Sequence, residues 1–179
     1  LDEFWGQDDI VGKGKFLRRM IEKDCVPSLL FYGPPGTGKT TLAHVIARLS
    51  GDHFEPLNAV AAGVTELRKL IGQAKDRQMV EGRRTILFID EIHRFNKAQQ
   101  DVLLPYVERG VVTMIGATTE NPFFEVNSPL LSRLKLIRLS LLNNAEIIRI
   151  LRHALSDAER GLGGEGLTIE DGVLETLAE

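Results

Sequence analysis

The chain has 179 residues, 43% of them hydrophobic and 26% charged, which suffices for one ordinary globular domain with a sizeable core and part of a second. Its net charge of -3 supplies no overall basic field, so any nucleic-acid contact has to come from a local patch or from an oligomer's concave face. No apolar run is long enough to span a bilayer, and the single cysteine, Cys25 beside Val26, forms no internal disulfide and reads as a small reduced core or near-core residue, in keeping with the cytoplasm.

The opening Leu1-Asp2-Glu3-Phe4-Trp5-Gly6 resembles neither a signal peptide nor a transit sequence, and an excised piece of a longer protein is expected. Between Lys13 and Lys23, Phe16, Leu17, Met20 and Ile21 recur at helical spacing. The opposite face carries Lys13, Lys15, Arg18 and Arg19, read as solvated charge in preference to a nucleic-acid patch. Leu29 to Tyr32 forms an apolar strand. Gly33-Pro34-Pro35-Gly36-Thr37-Gly38-Lys39-Thr40 follows, with Thr41 to Leu49 forming a helix. Strand, glycine-bounded loop ending in Gly-Lys-Thr, and helix together describe a P-loop. Glycines let successive N–H groups turn inward around an anion while the helix adds its positive N-terminal end, so the loop holds a nucleoside triphosphate. Lys39 is then a mobile point charge for the β- and γ-phosphates, Thr40 a magnesium ligand, and Thr41 part of the same nucleotide site.

Phe54 to Asn58 reads as a second strand, and Pro56 implies that it is an edge. A helix from about Val64 to Val80 carries the stripe Val64, Leu67, Leu70, Ile71 and Ala74 and is closed by Gly82. The continuous apolar run Thr85 to Ile89 is the third strand, buried on both faces, and ends in Asp90-Glu91. A helix capped by Asn96 carries Leu103, Leu104 and Val107 inward, bends at Pro105 and stops near Gly110. Val111 to Ala117 is the fourth strand, ending in Thr118-Thr119. Ser128 is read as an N-cap with Pro129 at the first helical position, opening a short helix through Arg133 before the fifth strand, Lys135 to Leu139. This alternation predicts an α/β fold with a five-stranded parallel sheet flanked by helices over residues 1–140. From Asn143 the pattern is helical only: Ile147, Ile148, Leu151, Ala154, Leu155 and Ala158 share a face ending at Gly161. Glycine-rich Gly161 to Gly166 reads as a flexible connection, and Val173, Leu174 and Leu177 open another helix, so residues 141–179 read as the start of a truncated helical lid.

Phosphoryl transfer needs a metal holder, a group that orients water, and positive charge for the transition state. Asp90, at the C-terminal end of a buried strand, is the metal-holding acid, and Glu91 is placed to polarise the attacking water. A carboxylate pair here turns a phosphate-binding loop into an ATPase site. No second histidine or cysteine lies at metal-ligand spacing, so magnesium is the expected metal.

The P-loop, Phe88 to Ile92, Ile115 to Thr118 and Ser132-Arg133, in that order, resemble the AAA+ ATPases of the clamp-loader and branch-migration branch. More narrowly, Asp90 to Lys97 followed by Gln99-Gln100-Asp101, then Gly116 to Pro122, resembles the replication-associated recombination protein A family. The resemblance covers nearly the whole chain. It implies that Thr118 is a sensor residue touching the γ-phosphate or the attacking water, with Thr119 as its rival. Arg133 matches the arginine finger acting on a neighbouring subunit's nucleotide, against a surface arginine with Arg138 and Arg149 nearby. Ile10 and Val11 match a segment that packs on adenine, with ordinary core packing the alternative. Asn58 matches a polar residue that in some relatives restrains the catalytic glutamate until DNA binds. His93, beside the acidic pair, reads as a structural hydrogen-bonder. The family's second sensor arginine and oligomerisation region have no counterpart within these residues.

The resemblance implies an ATPase using ATP and magnesium, stimulated by DNA, acting at stalled forks or at forked, gapped or single-stranded ends. It also implies a homo-oligomer, contacts with replication proteins such as single-strand binding protein, and a cytoplasmic, nucleoid-associated place. A clamp-loader subunit, a branch-migration motor or a nucleotide-gated assembly module are the alternatives.

Overall fold

In the computed structural model, which describes residues 1–179 apart from Ala61, Thr168, Glu170 and Glu179, one parallel sheet organises the chain. Its strands are β1 (Leu29–Tyr32), β2 (His53–Asn58), β3 (Thr85–Asp90), β4 (Thr113–Thr118) and β5 (Lys135–Arg138), in the order β2-β3-β4-β1-β5. Pro56 lies on β2, an edge strand, where one side of the ladder needs no donor. The continuous apolar runs divide by the two-residue period of a strand. Leu30, Leu87, Ile89 and Met114 enter one core cluster, whereas Leu29, Phe31, Ile86, Phe88, Ile115 and Ala117 enter the other.

Helices cover both faces. The helices α1 (Asp8–Val11), α2 (Phe16–Glu22) and α3 (Lys39–Ser50) bury Val11, Leu17, Ile21, Leu42 and Ile46 on one side. On the other, α4 (Val64–Glu81) and α5 (Lys97–Glu108) bury Leu67, Ile71, Ala74 and Leu103. Gly82 closes α4 in the left-handed region, its N–H returning to Gln78 O. Asn96 starts α5 with a reciprocal capping box to Gln99, and Pro105 lies inside this continuous helix. Two four-residue helices, α6 (Pro122–Glu125) and α7 (Ser128–Leu131), precede β5. After it, α8 (Asn144–Ser156), capped by an Asn143–Glu146 box, and α9 (Asp171–Leu177) pack together.

Four local readings need correction. The cap of α7 is Asn127, whose side chain accepts from Leu130 N, so Pro129 is the second helical residue and Arg133 lies beyond the helix end. Cys25 is exposed, at a turn where its N–H bonds Met20 O; an apolar neighbour in sequence does not fix which way a turn residue points. The helix α8 ends at Ser156, leaving Ala158 exposed, and Gly161 to Gly166 is no open linker. Leu162 N donates to Ala154 O at 2.7 Å and Gly163 N to Asp157 O at 3.1 Å, wrapping the glycines onto the helix end. A Cβ on Gly161 would stand 2.1 Å from Ala154 O and one on Gly163 2.7 Å from Ser156 O, so these two glycines permit close packing against the helix end. In α9 Leu174 is buried, whereas Val173 and Leu177 are exposed.

Candidate active site

The loop after β1 is shaped by its glycines. Gly33 has φ +142°, and a Cβ there would meet Leu139 O at 2.2 Å, so the chain passes the end of β5 only without a side chain. Gly36 and Gly38 also have positive φ, at +76° and +89°, and Gly38 is the left-handed N-cap of α3. The buried Thr37 hydroxyl donates to Pro34 O at 3.0 Å, tightening the turn. Lys39 Nζ donates to the carbonyls of Gly33 and Pro34 at 2.8 and 2.7 Å, folding the ammonium over the loop. Burial pushes its pKa down, and the Asp90 carboxylate opposes the shift, so cation and acid share one electrostatic environment. Thr40 and Thr41 stand exposed in the first turn of α3.

Parallel register places the other groups at the same edge. Tyr32, the last residue of β1, pairs with Thr118, the last of β4, and β4 neighbours β3, which ends in Asp90. Thus Thr118 stands between the loop and the acid, and Gly33 N donates to its carbonyl at 3.3 Å. Thr118 is 1% exposed, whereas Thr119 is exposed. Glu91 has φ +52°, a left-handed conformation unusual outside glycine; its N–H donates to Asp90 Oδ1 at 3.1 Å. Its carboxylate lies 3.7 Å from Arg94 Nε, across the 3-10 turn Ile92–Arg94. His93 Nδ1 lies 2.9 Å from Thr118 Oγ1. Asn58, in register with Asp90, uses Oδ1 to accept from Val60 N at 2.8 Å.

Arg133 is elsewhere. It precedes β5, whose first residue Lys135 pairs with Leu29 at the start of β1, so it lies toward the sheet edge opposite the P-loop. There it pairs with Glu108 at 2.7 Å and donates to Pro129 O at 3.2 Å.

A cavity of about 380 Å³ opens beside the loop between Gly36, Gly38 and Thr41 on one side and Leu142, Ile147 and Ile150 on the other. Its aromatic wall is Phe4 and Trp5. Ile10 and Val11 do not line it: Val11 is buried against Leu17 and Leu29, and Ile10 faces a separate cavity with Arg138 and Ser140. Sequence reasoning also missed Gln7, 4% exposed, which donates to Ser140 O at 2.7 Å and to Thr37 O at 3.4 Å, and accepts from Ser140 N. This side chain ties the loop to the strand end. Nothing in its local sequence marks it, because its partners are distant along the chain.

The oxygen donors of Thr40 and Asp90 suit a hard cation such as magnesium. Among the described residues no group of three or more histidine, cysteine, aspartate or glutamate side chains could hold a metal. Among the same residues no helix is long and apolar enough to cross a membrane.

The sequence profile of the ATPase family associated with various cellular activities (AAA) matches residues 29–141, from β1 to just past β5. Replication-associated recombination protein A of Haemophilus influenzae is 49% identical over 179 residues, all of this chain and 40% of that protein. The protein of the same name from Escherichia coli K12 is 48% identical over the same span, again 40% of its length. The chain thus spans about two fifths of these curated relatives. Among solved structures, the RuvB Holliday junction branch migration motor of Thermotoga maritima superposes with a TM-score of 0.77 at 31% identity, over 99% of this chain and 57% of that one. Profile, P-loop, strand order and acidic pair agree: the chain belongs to the AAA family of ATPases and is similar, within it, to replication-associated recombination protein A.

Proposed function

We propose that this chain is the nucleotide-hydrolysing core of an oligomeric, DNA-stimulated ATPase of replication and recombination, acting at stalled forks or at forked, gapped or single-stranded DNA ends. The observation that carries the hydrolytic part is the register of β1, β4 and β3, which sets the P-loop, Thr118 and Asp90-Glu91 at one edge of the sheet. The residues Gly33 to Thr41 hold ATP, and Phe4 and Trp5, which line the cavity beside the loop where Ile10 and Val11 do not, take the apolar base contacts. Thr40 and Asp90 hold magnesium, which neutralises charge developing on the phosphates. Glu91 orients and polarises the attacking water, and Thr118 senses the γ-phosphate or that water.

Arg133 stabilises the transition state in a neighbouring subunit. Its place at the opposite sheet edge supports this, since it cannot serve its own loop without a large rearrangement. DNA stimulation, contact with replication proteins such as single-strand binding protein and a cytoplasmic, nucleoid-associated place rest on similarity to the recombination proteins. The likeness to a branch-migration motor supports a second reading, in which the assembly moves a junction.

ATP hydrolysis by the full-length protein decides among these, with forked DNA, gapped DNA, a four-way junction or no DNA. Glu91→Gln should lower kcat by about 100-fold or more while ATP still binds. Unchanged turnover in that variant sinks the catalytic assignment, and turnover indifferent to DNA sinks the fork reading. Stimulation by the junction alone favours the motor.

A further inference from the structure

His93 has a hydrogen-bonding duty that its place after the acidic pair does not reveal. The left-handed turn at Glu91 starts the 3-10 turn, closed by Arg94 N donating to Glu91 O at 2.8 Å, with Ile92 fully buried as its anchor. The turn delivers His93, two residues beyond Glu91, to the neighbouring strand end, where Nδ1 lies 2.9 Å from Thr118 Oγ1. The same hydroxyl accepts from Glu120 N at 3.0 Å.

A threonine hydroxyl has one proton to donate and two lone pairs. With a proton on His93 Nδ1, the ring and Glu120 N occupy both lone pairs, and the single Thr118 proton is left to point at a phosphate or water oxygen. With Nδ1 bare, Thr118 spends that proton on the histidine and meets the phosphate with no donor. Thr118 is too buried for bulk water to repair the loss. The two tautomers therefore leave the same residue as donor or as acceptor.

We propose that His93 is a positioning residue for hydrolysis: it donates from Nδ1 to Thr118, so that the threonine hydroxyl presents its proton to the γ-phosphate or the attacking water. This rests on Thr118 being the sensor. The bond also links the strand end carrying Glu91 to the one carrying Thr118, so the two groups keep their spacing.

The test is single-turnover ATP hydrolysis and ATP binding by full-length protein carrying Thr118→Val, His93→Ala, His93→Asn or Thr118→Val with His93→Ala. The asparagine amide can donate from near the Nδ1 position and serves if the alanine variant folds poorly. Losing a transition-state donor outright costs about 100-fold, so misorienting one by His93→Ala should cost about 10-fold in kcat with ATP affinity unchanged. His93→Asn should recover most of this. In the double variant, His93→Ala should add nothing to Thr118→Val, because it acts only through that hydroxyl. Full additivity, equal loss in the asparagine and alanine variants, or a loss confined to ATP affinity overturns the proposal. A slow Thr118→Val beside a normal His93→Ala overturns it alone; an unaffected Thr118→Val removes the sensor assignment and the proposal together.

Discussion

Gly33 shows how much of this site depends on the absence of one atom. The loop leaves β1 with φ +142° and passes Leu139 O so closely that a methyl group would overlap it. Gly33→Ala must therefore displace the loop or the end of β5, whose Leu139 N donates to Tyr32 O at 2.8 Å. The expected cost is about 1–3 kcal/mol of stability, read by urea unfolding, with ATP binding weakened because loop and stability fail together. A Gly33→Ala protein of unchanged midpoint and affinity would contradict the geometry. Residues of this kind are legible in sequence, since a left-handed or crowded position demands glycine whatever surrounds it. Gln7 and the wall residues Phe4 and Trp5 are not, because their roles arise from partners far along the chain. The one-residue error at Asn127 has another cause: asparagine and serine both cap helices well, and the fold chooses between adjacent candidates.

At the scale of elements, the segment ahead of α1 is a strap joining the loop to the helical region. Phe4 lies against Gly38, and Trp5 packs edge-on against His153 of α8 with ring centroids 4.8 Å apart and Arg149 over its face at 5.5 Å. Arg160 then clamps the strap: it reaches Glu3 at 3.1 Å and Asp157 at 2.9 Å. Hydrogen bonding to the Arg160 side chain holds Glu3 below the usual carboxylate range, and the Arg160 backbone N–H does the same for Asp157. Groups depressed on folding contribute stability that is present above their ordinary pKa and lost as the pH falls through the folded values. The strap should therefore loosen below about pH 4. Trp5 is the only tryptophan, so its emission reports the change. A red shift on acidification is expected before far-UV circular dichroism is lost, and Arg160→Gln should shift the emission already at neutral pH. Coincident transitions, or an unaltered Arg160→Gln spectrum, would show that the clamp does not hold the strap.

For the whole molecule, the separation of Arg133 from the P-loop is the governing fact. β5 starts alongside the start of β1, whereas the loop follows its end, and Glu108 holds the guanidinium at the far edge. Both side chains of this pair are about two fifths exposed, so the bond is weak enough to exchange for a stronger anion in an assembly. Arg133→Ala and Lys39→Ala proteins should each be inactive, yet an equal mixture should recover about a quarter of normal turnover if subunits assort at random and each site uses its neighbour's arginine. No recovery in a mixture shown to co-assemble would rule out action across subunits. The amino-acid sequence alone determined the α/β architecture, the P-loop and the Asp90-Glu91 pair. Period-2 and period-3.6 patterns, glycine conformations and helix caps are local properties that a short stretch of chain imposes on itself. Only the tertiary structure decided that Thr118 meets His93, that Phe4 and Trp5, and not Ile10 and Val11, line the cavity beside the P-loop, and that Arg133 lies away from its own loop. Those facts depend on strand order and register, which bring together side chains that no spacing along the sequence connects.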